Sequence, residues 1–445
     1  YISAYARKQF NNNIDVKLFK FPNDIMDAVA REKPDIIGFS SYMWNANLNM
    51  EVMNYIKNSD TNIVTVAGGP HIKYDPAGLK RFFDKNRCDY FVPFQGEQPF
   101  NLIVEMVLNN NTRELKPVDG TYYYDGDTIK KGASIDRIKA LDTIPSPYLN
   151  GDLDKFFDTN LIPIIETNRG CPYRCTFCAQ GLTSFNQVNY FSEKRVYDEL
   201  EYISRKVKNT VLLHFADANF GIVDRDIEIA EKVNEIRSLN GYPEKVSSNM
   251  AKNRPPNKMI KIAELFGNTA MVISLQSLDD TVLKNVKRKN INNNNFKDII
   301  HKVNSNNGVS GTEIILGLPG ETFQSHIETI RTLFDLNVSY IIAYNALILD
   351  GTEMDSERIN NKYIFKTKYR LIDSSFGEYD YPLKYAHNIH GIYNNSIKAF
   401  DYEEGIRETN TLSEGQILFF RPVHWLIQFM WNYRFYYNFL KCLQA

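Results

Sequence analysis

The 445-residue chain reads as an α/β protein in three successive parts: an N-terminal doubly wound (Rossmann-like) parallel sheet over residues 1–140, a partial (β/α)6 barrel over 155–355, and a mostly helical, aromatic-rich region over 356–445. Short apolar runs alternate with amphipathic stretches, the pattern of parallel strands covered by helices on both faces. That alternation occurs twice, on either side of a polar, proline-dotted link at 141–154 (LDTIPSPYLNGDLD), where a domain boundary is expected. At about 150 residues per domain, the length suits two or three units.

In the first part, residues 1–10 suggest a helix, 14–19 (IDVKLF) a strand, and 24–32 a helix preceded by Pro22. Three continuous apolar strands follow at 35–40 (DIIGFS), 62–67 (NIVTVA) and 89–93 (DYFVP). They lead into the loops Ser40-Ser41-Tyr42, Gly68-Gly69-Pro70-His71 and Gln95-Gly96-Glu97. A doubly wound unit normally carries one more strand at its start, so a strand is expected ahead of Tyr1, which is not a methionine. Residues 121–131 (TYYYDGDTIKK) have the pattern of a hairpin turning at Asp125-Gly126.

In the second part, strands are expected at 163–167, 211–215, 245–248, 270–275, 311–316 and 339–343, with helices between them. In a barrel of this kind the chemistry sits at the C-terminal ends of the strands. Asn292–Asn295 reads as a surface loop. The tail carries Phe419, Phe420, Trp425, Phe429, Trp431, Tyr433, Phe435, Tyr436, Tyr437 and Phe439, interrupted by Arg421, His424 and Arg434. A helix packing an aromatic face on the main body is expected there, with a helix lying on a membrane surface as the other reading.

Lys plus Arg number 52 against 53 Asp plus Glu, for a net charge of −1, so the basic excess of a duplex nucleic-acid binder is absent. No run of about 20 apolar residues suggests a transmembrane helix, and no basic-then-apolar leader opens the chain. Five cysteines are too few for a disulfide framework, and three of them crowd into eight residues, which points to ligation in a reducing, cytoplasmic compartment. Cys88 and Cys442 stand alone and read as ordinary thiols. His301, His326, His387, His390 and His424 form no metal spacing with nearby carboxylates. His387 and His390, close to Tyr385 and Tyr393, suggest a solvated or hydrogen-bonded pair, or one that faces a substrate. There is no Gly-x-Ser-x-Gly elbow and no Walker-type phosphate loop.

The strongest chemical signal is Cys171-Pro-Tyr-Arg-Cys175-Thr-Phe-Cys178. Three thiolates spaced C-x3-C-x2-C can wrap one loop around three irons of a 4Fe–4S cluster. The fourth iron, lacking a protein thiolate, can bind a small chelating substrate. The competing reading is zinc, which at a structural site takes four protein ligands. No fourth Cys or His lies near in sequence, and His214 sits on a separate strand.

Residues 166–181 (ETNRGCPYRCTFCAQG) resemble the cluster loop of the radical S-adenosylmethionine enzymes, with an aromatic, Phe177, ahead of the third cysteine. Further segments resemble that family in order: 215–220 (FADANF) the end of its second strand, Ser274-Leu275-Gln276-Ser277 the fourth, and 311–321 (GTEIILGLPGE) the fifth. Residues 346–352 resemble the region after the sixth, with Leu347-Ile348-Leu349 where a proline is usual. The resemblance covers about residues 160–355. It implies that the unique iron chelates the amino and carboxylate groups of S-adenosylmethionine, and that one electron cleaves the sulfonium to give a 5′-deoxyadenosyl radical. It implies also an electron donor such as flavodoxin or ferredoxin. Asp217, Asn219, Ser248, Ser274 and Gln276 are the candidates to hold the methionine and ribose, with strand capping as each one's alternative role.

Placed directly before such a core, PDIIGFSSYMWN, VAGGPH and DYFVPFQGEQPF resemble the cobalamin-binding domain of one large class of these enzymes, over about residues 1–110. Glycine in such turns lets backbone approach a ligand, and ligands of doubly wound sheets bind at these strand ends. The resemblance makes Ser40, Ser41, Tyr42, Gly68, Gly69, Pro70, His71, Gln95, Gly96 and Glu97 the cobalamin-binding candidates. The Asp-x-His-x-x-Gly motif that supplies a histidine to cobalt in many cobalamin proteins does not occur, so no imidazole on cobalt is expected, and His71 is expected to border the nucleotide tail or to be structural. The resemblance implies a cobalamin-dependent methyltransferase acting on a small molecule or peptide. Alternatives are a cyclisation, rearrangement or ring contraction with the same cofactors, and a non-enzymatic cobalamin sensor.

Overall fold

The computed structural model describes residues 1–73, 75–109, 115–252, 254–267, 270–305, 308–380 and 396–444. The N-terminal part is built on a five-stranded sheet of order β1 (Ile36–Ser40), β2 (Val64–Gly68), β3 (Tyr90–Val92), β4 (Tyr122–Tyr124) and β5 (Ile129–Lys131). The first three strands are parallel, and the expected hairpin adds β4 and β5 antiparallel. Alternate residues of the central strand serve opposite faces. Val64 and Val66 pack with Ile103 of α5 (Glu97–Asn109), whereas Ala67 packs with Met53 of α3 (Ala46–Ser59) and with Leu79 and Phe83 of α4 (Pro76–Lys85). Both faces are therefore covered, as continuous apolar strands require. The helices α1 (Ile2–Phe10) and α2 (Pro22–Arg31) fall where expected.

The expected strand at 14–19 does not form. Ile14 has extended backbone angles, but among the described residues β1 pairs only with β2, so the segment has no ladder partner. Alternation alone gives an extended chain; a strand needs a neighbour to bond.

All six strands expected in the second part are present: β6 (Ile164–Ile165), β9 (Leu212–Phe220), β10 (Lys245–Met250), β11 (Ala270–Val272), β12 (Val309–Leu316) and β13 (Tyr340–Asn345). They pair in parallel as two halves, β10-β9-β6 and β11-β12-β13. A small antiparallel pair, β7 (Asn168–Arg169) and β8 (Asn189–Tyr190), frames the cysteine loop. Between the strands run α6 (Glu193–Lys206), α7 (Arg225–Asn240), α8 (Pro256–Phe266), α9 (Asp280–Asn285), α10 (Asn293–Ser305) and α11 (Phe323–Asp335). Phe215, Phe220, Phe266, Ile314 and Leu333 belong to the one continuous core beneath them. Asn293–Asn295, expected as loop, is the first turn of α10, where the Asn292 side chain accepts the Asn295 amide at 2.8 Å. Asparagine is favoured at that capping position.

The C-terminal region differs from the mostly helical expectation. After α12 (Glu353–Ile359) comes a long antiparallel hairpin, β14 (Lys366–Asp380) and β15 (Ser396–Glu408). Its strands are rich in charge, and the register shifts between Leu371 and Phe376, so no clean period marks them. Helix begins only at α13 (Glu414–Leu426), where Ser413 and Gln416 form a reciprocal capping box. A π-helical turn (Ile427–Asn432) and α14 (Tyr437–Gln444) follow. Ile417, Phe420, Ile427 and Trp431 pack on the barrel core, while Trp425, Tyr433, Phe435, Tyr436 and Phe439 are exposed. His387 and His390 lie outside the described residues. Among the described residues no helix is long and apolar enough to cross a membrane.

Candidate active site

The cysteine loop follows β6 and is pinned by backbone on several sides. The Cys171 amide donates to the Phe185 carbonyl at 2.8 Å, the Thr176 amide to Val286 at 3.2 Å, and the Met354 amide to Thr176 at 2.9 Å. Gly181 is obligatory, because an added Cβ would overlap the Cys175 carbonyl oxygen. Cys171 and Cys175 are buried and Cys178 is half-buried; burial pushes the Cys178 thiol up.

One cation contacts the thiols, and a second, Lys252, lies within their electrostatic reach. Arg288, buried, places Nη1 3.8 Å from Cys175 Sγ, while its Nε donates to Asn290 Oδ1 at 2.8 Å and Nη2 to the Ser274 carbonyl. Burial lowers the pKa of Arg288 and of Lys252, and the nearby cysteines oppose that shift in both. Neither cation was identified from the sequence, since Arg288 stands in a KRKN run that reads as surface.

The strand-end candidates have distinct roles. Asn219 donates from Nδ2 to Cys171 Sγ at 3.1 Å, and its buried Oδ1 has no partner. Gln276 adopts a left-handed φ of 67°, bonds β12 through its backbone, and leaves a buried Oε1 unpartnered. Asp217 is committed to the fold: it accepts from the Thr167 amide (2.8 Å), the Thr167 hydroxyl (2.5 Å) and the Asn168 amide (3.2 Å), clamping β9 to the segment after β6. Burial nevertheless pushes its carboxyl up to about 7. Ser274 donates to the Glu313 carboxylate, and Ser248 lies 3.1 Å from the Met250 sulfur. Phe177 is half-buried against the barrel core.

The N-terminal candidates gather at the C-terminal edge of their sheet. The Ser41 amide donates to Gly68 at 2.6 Å and the His71 amide to Ser41 at 3.4 Å, so the first two loops lie back to back. Gly69 has φ 115°, and an added Cβ would overlap the Ser41 carbonyl oxygen. The lack of a side chain at Gly69 is thus needed for loop-to-loop contact. Ser40 and Pro70 are exposed, and Tyr42 stacks on exposed Trp44 at 4.6 Å. Gly96 is covered by Ile2 of α1. Gln95 accepts from the Ile138 amide at 2.8 Å. Glu97 is buried in an ion pair with Arg169 (2.7 Å), which also holds Glu166 (2.9 Å). Arg169 stands two residues before Cys171, so the third N-terminal loop is joined directly to the cysteine loop. Phe94 meets Phe185 edge-on at 6.4 Å across the same junction.

Comparison with known proteins agrees with this arrangement. A family profile described as the radical SAM superfamily matches residues 165–333, and one described as the B12 binding domain matches residues 1–104, together more than half of the chain. The chain is 31% identical over 347 residues to the cobalamin-dependent radical SAM methyltransferase TokK of Streptomyces tokunonensis, covering 75% of this chain and 50% of that protein. It is 31% identical over 314 residues to a 2-(S-pantetheinyl)-carbapenam-3-carboxylate methyltransferase of Streptantibioticus cattleyicolor, covering 68% of this chain and 45% of that protein. The chain thus spans about half the length of these curated relatives. Its fold resembles that of TsrM, a radical S-adenosylmethionine methyltransferase from Kitasatospora setae, with a TM-score of 0.60 at 12% identity over 84% of this chain and 75% of that one. It also resembles OxsB, a cobalamin-dependent S-adenosylmethionine radical enzyme, with a TM-score of 0.55 at 19% identity over 76% and 49%. A three-thiol loop on a parallel barrel, joined through Arg169 to the strand ends of a doubly wound sheet, places the chain among the radical SAM enzymes that carry a B12-binding domain.

Proposed function

We propose that the chain transfers a methyl group from methylcobalamin to an unactivated centre of a small molecule or peptide, after hydrogen abstraction by a 5′-deoxyadenosyl radical. Residues 1–140 serve as the cobalamin-binding unit, 155–355 as the radical core, and 356–445 as a C-terminal region. The observation that carries this reading is the junction itself: the cysteine loop and the cobalamin-type loops are tied by Arg169 and Glu97. When bound, the cofactors supply the one-electron cleavage of S-adenosylmethionine and the methyl group, the chemistry that protein side chains lack.

The residues present fit these groups. Cys171, Cys175 and Cys178 supply three soft ligands to a 4Fe–4S cluster. Asn219 Nδ2 and the Arg288 guanidinium beside two of the sulfurs favour an added electron there. Lys252 and Arg288 offer positive charge for the substrate carboxylate. The unpartnered acceptors Asn219 Oδ1 and Gln276 Oε1 suit an ammonium group or ribose hydroxyls, since buried polar atoms seek partners. Ser41, Tyr42 and the 68–71 turn form the cobalamin edge, with His71 beside it and no imidazole on cobalt. The electron donor is a flavodoxin or ferredoxin in the cytoplasm.

The test is product mass with the true substrate. A gain of one methylene, with deoxyadenosine and S-adenosylhomocysteine formed together, is expected. Deoxyadenosine and an altered product without S-adenosylhomocysteine would replace methylation by rearrangement. Spectra of the bound Co(II) form should lack nitrogen coupling; coupling that vanishes in His71→Ala would overturn the placement of His71.

A further inference from the structure

We infer that the C-terminal hairpin is a working part of the cobalamin pocket, with Asp401 of β15 as the positioning residue that fixes the α3 start behind one of its loops. The inference rests on cobalamin binding at the N-terminal sheet, the reading adopted above.

Asp401 is 2% exposed, and its Oδ1 accepts the Asn47 amide at 2.7 Å. Asn47 lies in the first turn of α3, directly after the Ser41–Trp44 loop, and that helix has no cap from its own Asn45 side chain. The hairpin therefore supplies from 354 residues away the acceptor that a helix start normally finds next to itself. Asn47 returns the contact, donating from Nδ2 to the Phe400 carbonyl at 2.7 Å. Burial raises the Asp401 pKa, and the Asn47, Leu48 and Ala46 amides and the His71 side chain oppose the shift. The carboxylate thus holds the α3 start, and the charge it carries there is favoured by the His71 side chain.

A second, independent tie holds the His71 turn. Lys73, two residues after His71, pairs with Asp355 at 2.9 Å and with Asp350 at 3.4 Å. Asp355 pairs with Arg358 at 2.8 Å, and Arg358 with Glu404 of β15 at 2.6 Å. Ile397, near the start of the same strand, packs among Met26, Ile37, Val52 and Ile56 of the N-terminal unit. The other end of β15 serves the barrel, where the Ile406 amide donates to Ala346 and the Ile348 amide to Glu404, both at 2.9 Å. The strand is anchored at the barrel mouth and grips the two loops that would line the corrin.

The test compares cobalamin affinity of the full-length wild-type, Asp401→Asn and Asp401→Ala proteins by equilibrium dialysis, with hydroxocobalamin as the probe. Asparagine caps helices about as well as aspartate, so Asp401→Asn should stay within about threefold of wild type. Asp401→Ala should bind at least tenfold more weakly while keeping its iron content. A merely structural cap would lower the apo and cobalamin-bound melting temperatures equally; a positioning residue should also shrink the gain in Tm that cobalamin confers. Equal affinity in folded Asp401→Ala overturns the inference. If that variant does not fold, hydrogen exchange on the wild type decides: cobalamin should protect amides in 46–49 and 396–408 together, and protection of the first without the second overturns it. Failure of the wild type itself to bind cobalamin would instead sink the underlying reading.

Discussion

At the scale of single residues, the cysteine triplet stands out in the sequence as the proposed ligand set, because ligand spacing is local. Replacing Cys171, Cys175 or Cys178 with Ala should abolish cluster iron and reductive cleavage of S-adenosylmethionine, while Cys88→Ala or Cys442→Ala should leave both intact. Normal iron in Cys175→Ala would refute the ligand assignment. Gly181→Ala should also lose cluster, since the added methyl meets backbone that cannot swing aside. Arg288 and Lys252 show what stays hidden, since their meaning comes from proximity to sulfur across the barrel; Asn219 was named from the sequence, but for the methionine and ribose and not for its bond to Cys171. Asp217 makes a pH prediction. Its folded carboxyl titrates near 7, above the unfolded value of 3.8. The folded state therefore holds the extra proton, and this group's stability is lost as pH rises from about 4 to about 7. Unfolding free energies of wild type and Asp217→Asn, measured by denaturant at several pH values, should diverge across that window in the variant's favour. Parallel profiles would show that the carboxylate is fully accommodated by its three donors.

At the scale of elements, strands buried on both faces were readable because their apolar runs are continuous, as in β2. The hairpin β14–β15 was not readable: its partners are far apart in sequence, its outer face carries Tyr369, Phe376 and Tyr402 beside charges, and its inner face meets a different unit. The expected strand at 14–19 had the right alternation and lacked a partner. The Glu97–Arg169–Glu166 group belongs at this scale too, since it joins α5 to β7. Arg169→Met should leave two acids without their cation and cost about 3–5 kcal/mol. Burial already raises the Glu166 pKa, so lowering the pH, which protonates Glu166, should restore part of the lost stability. Thermal melts at pH 5 and pH 7 check this; a loss that is identical at both would assign the effect to packing.

At the scale of the whole molecule, the proposed reaction asks two cofactor units to act on one substrate, and the cysteine loop and the 68–71 turn are held by different contacts. The cysteine loop bonds through its backbone to Phe185, Val286 and Met354, and its tie to the N-terminal unit runs through Glu97 and Phe94 rather than through the 41–45 or 68–71 loops. The proposed cobalamin edge includes Gly69, whose φ of 115° and overlap with the Ser41 carbonyl forbid a side chain. Gly69→Ala should therefore push the 41–45 and 68–71 loops apart without touching the cysteine triplet. If methyl transfer is the reaction, this variant should keep most of its iron and most of its reductive cleavage of S-adenosylmethionine to deoxyadenosine. Its methylated product should fall by at least tenfold. The wild type should make deoxyadenosine and S-adenosylhomocysteine in roughly equal amounts, one from each use of the co-substrate, whereas Gly69→Ala should make deoxyadenosine in excess. A variant that loses both products in parallel would mean that the two units function only as one, and that cleavage at the cluster waits on an ordered cobalamin edge.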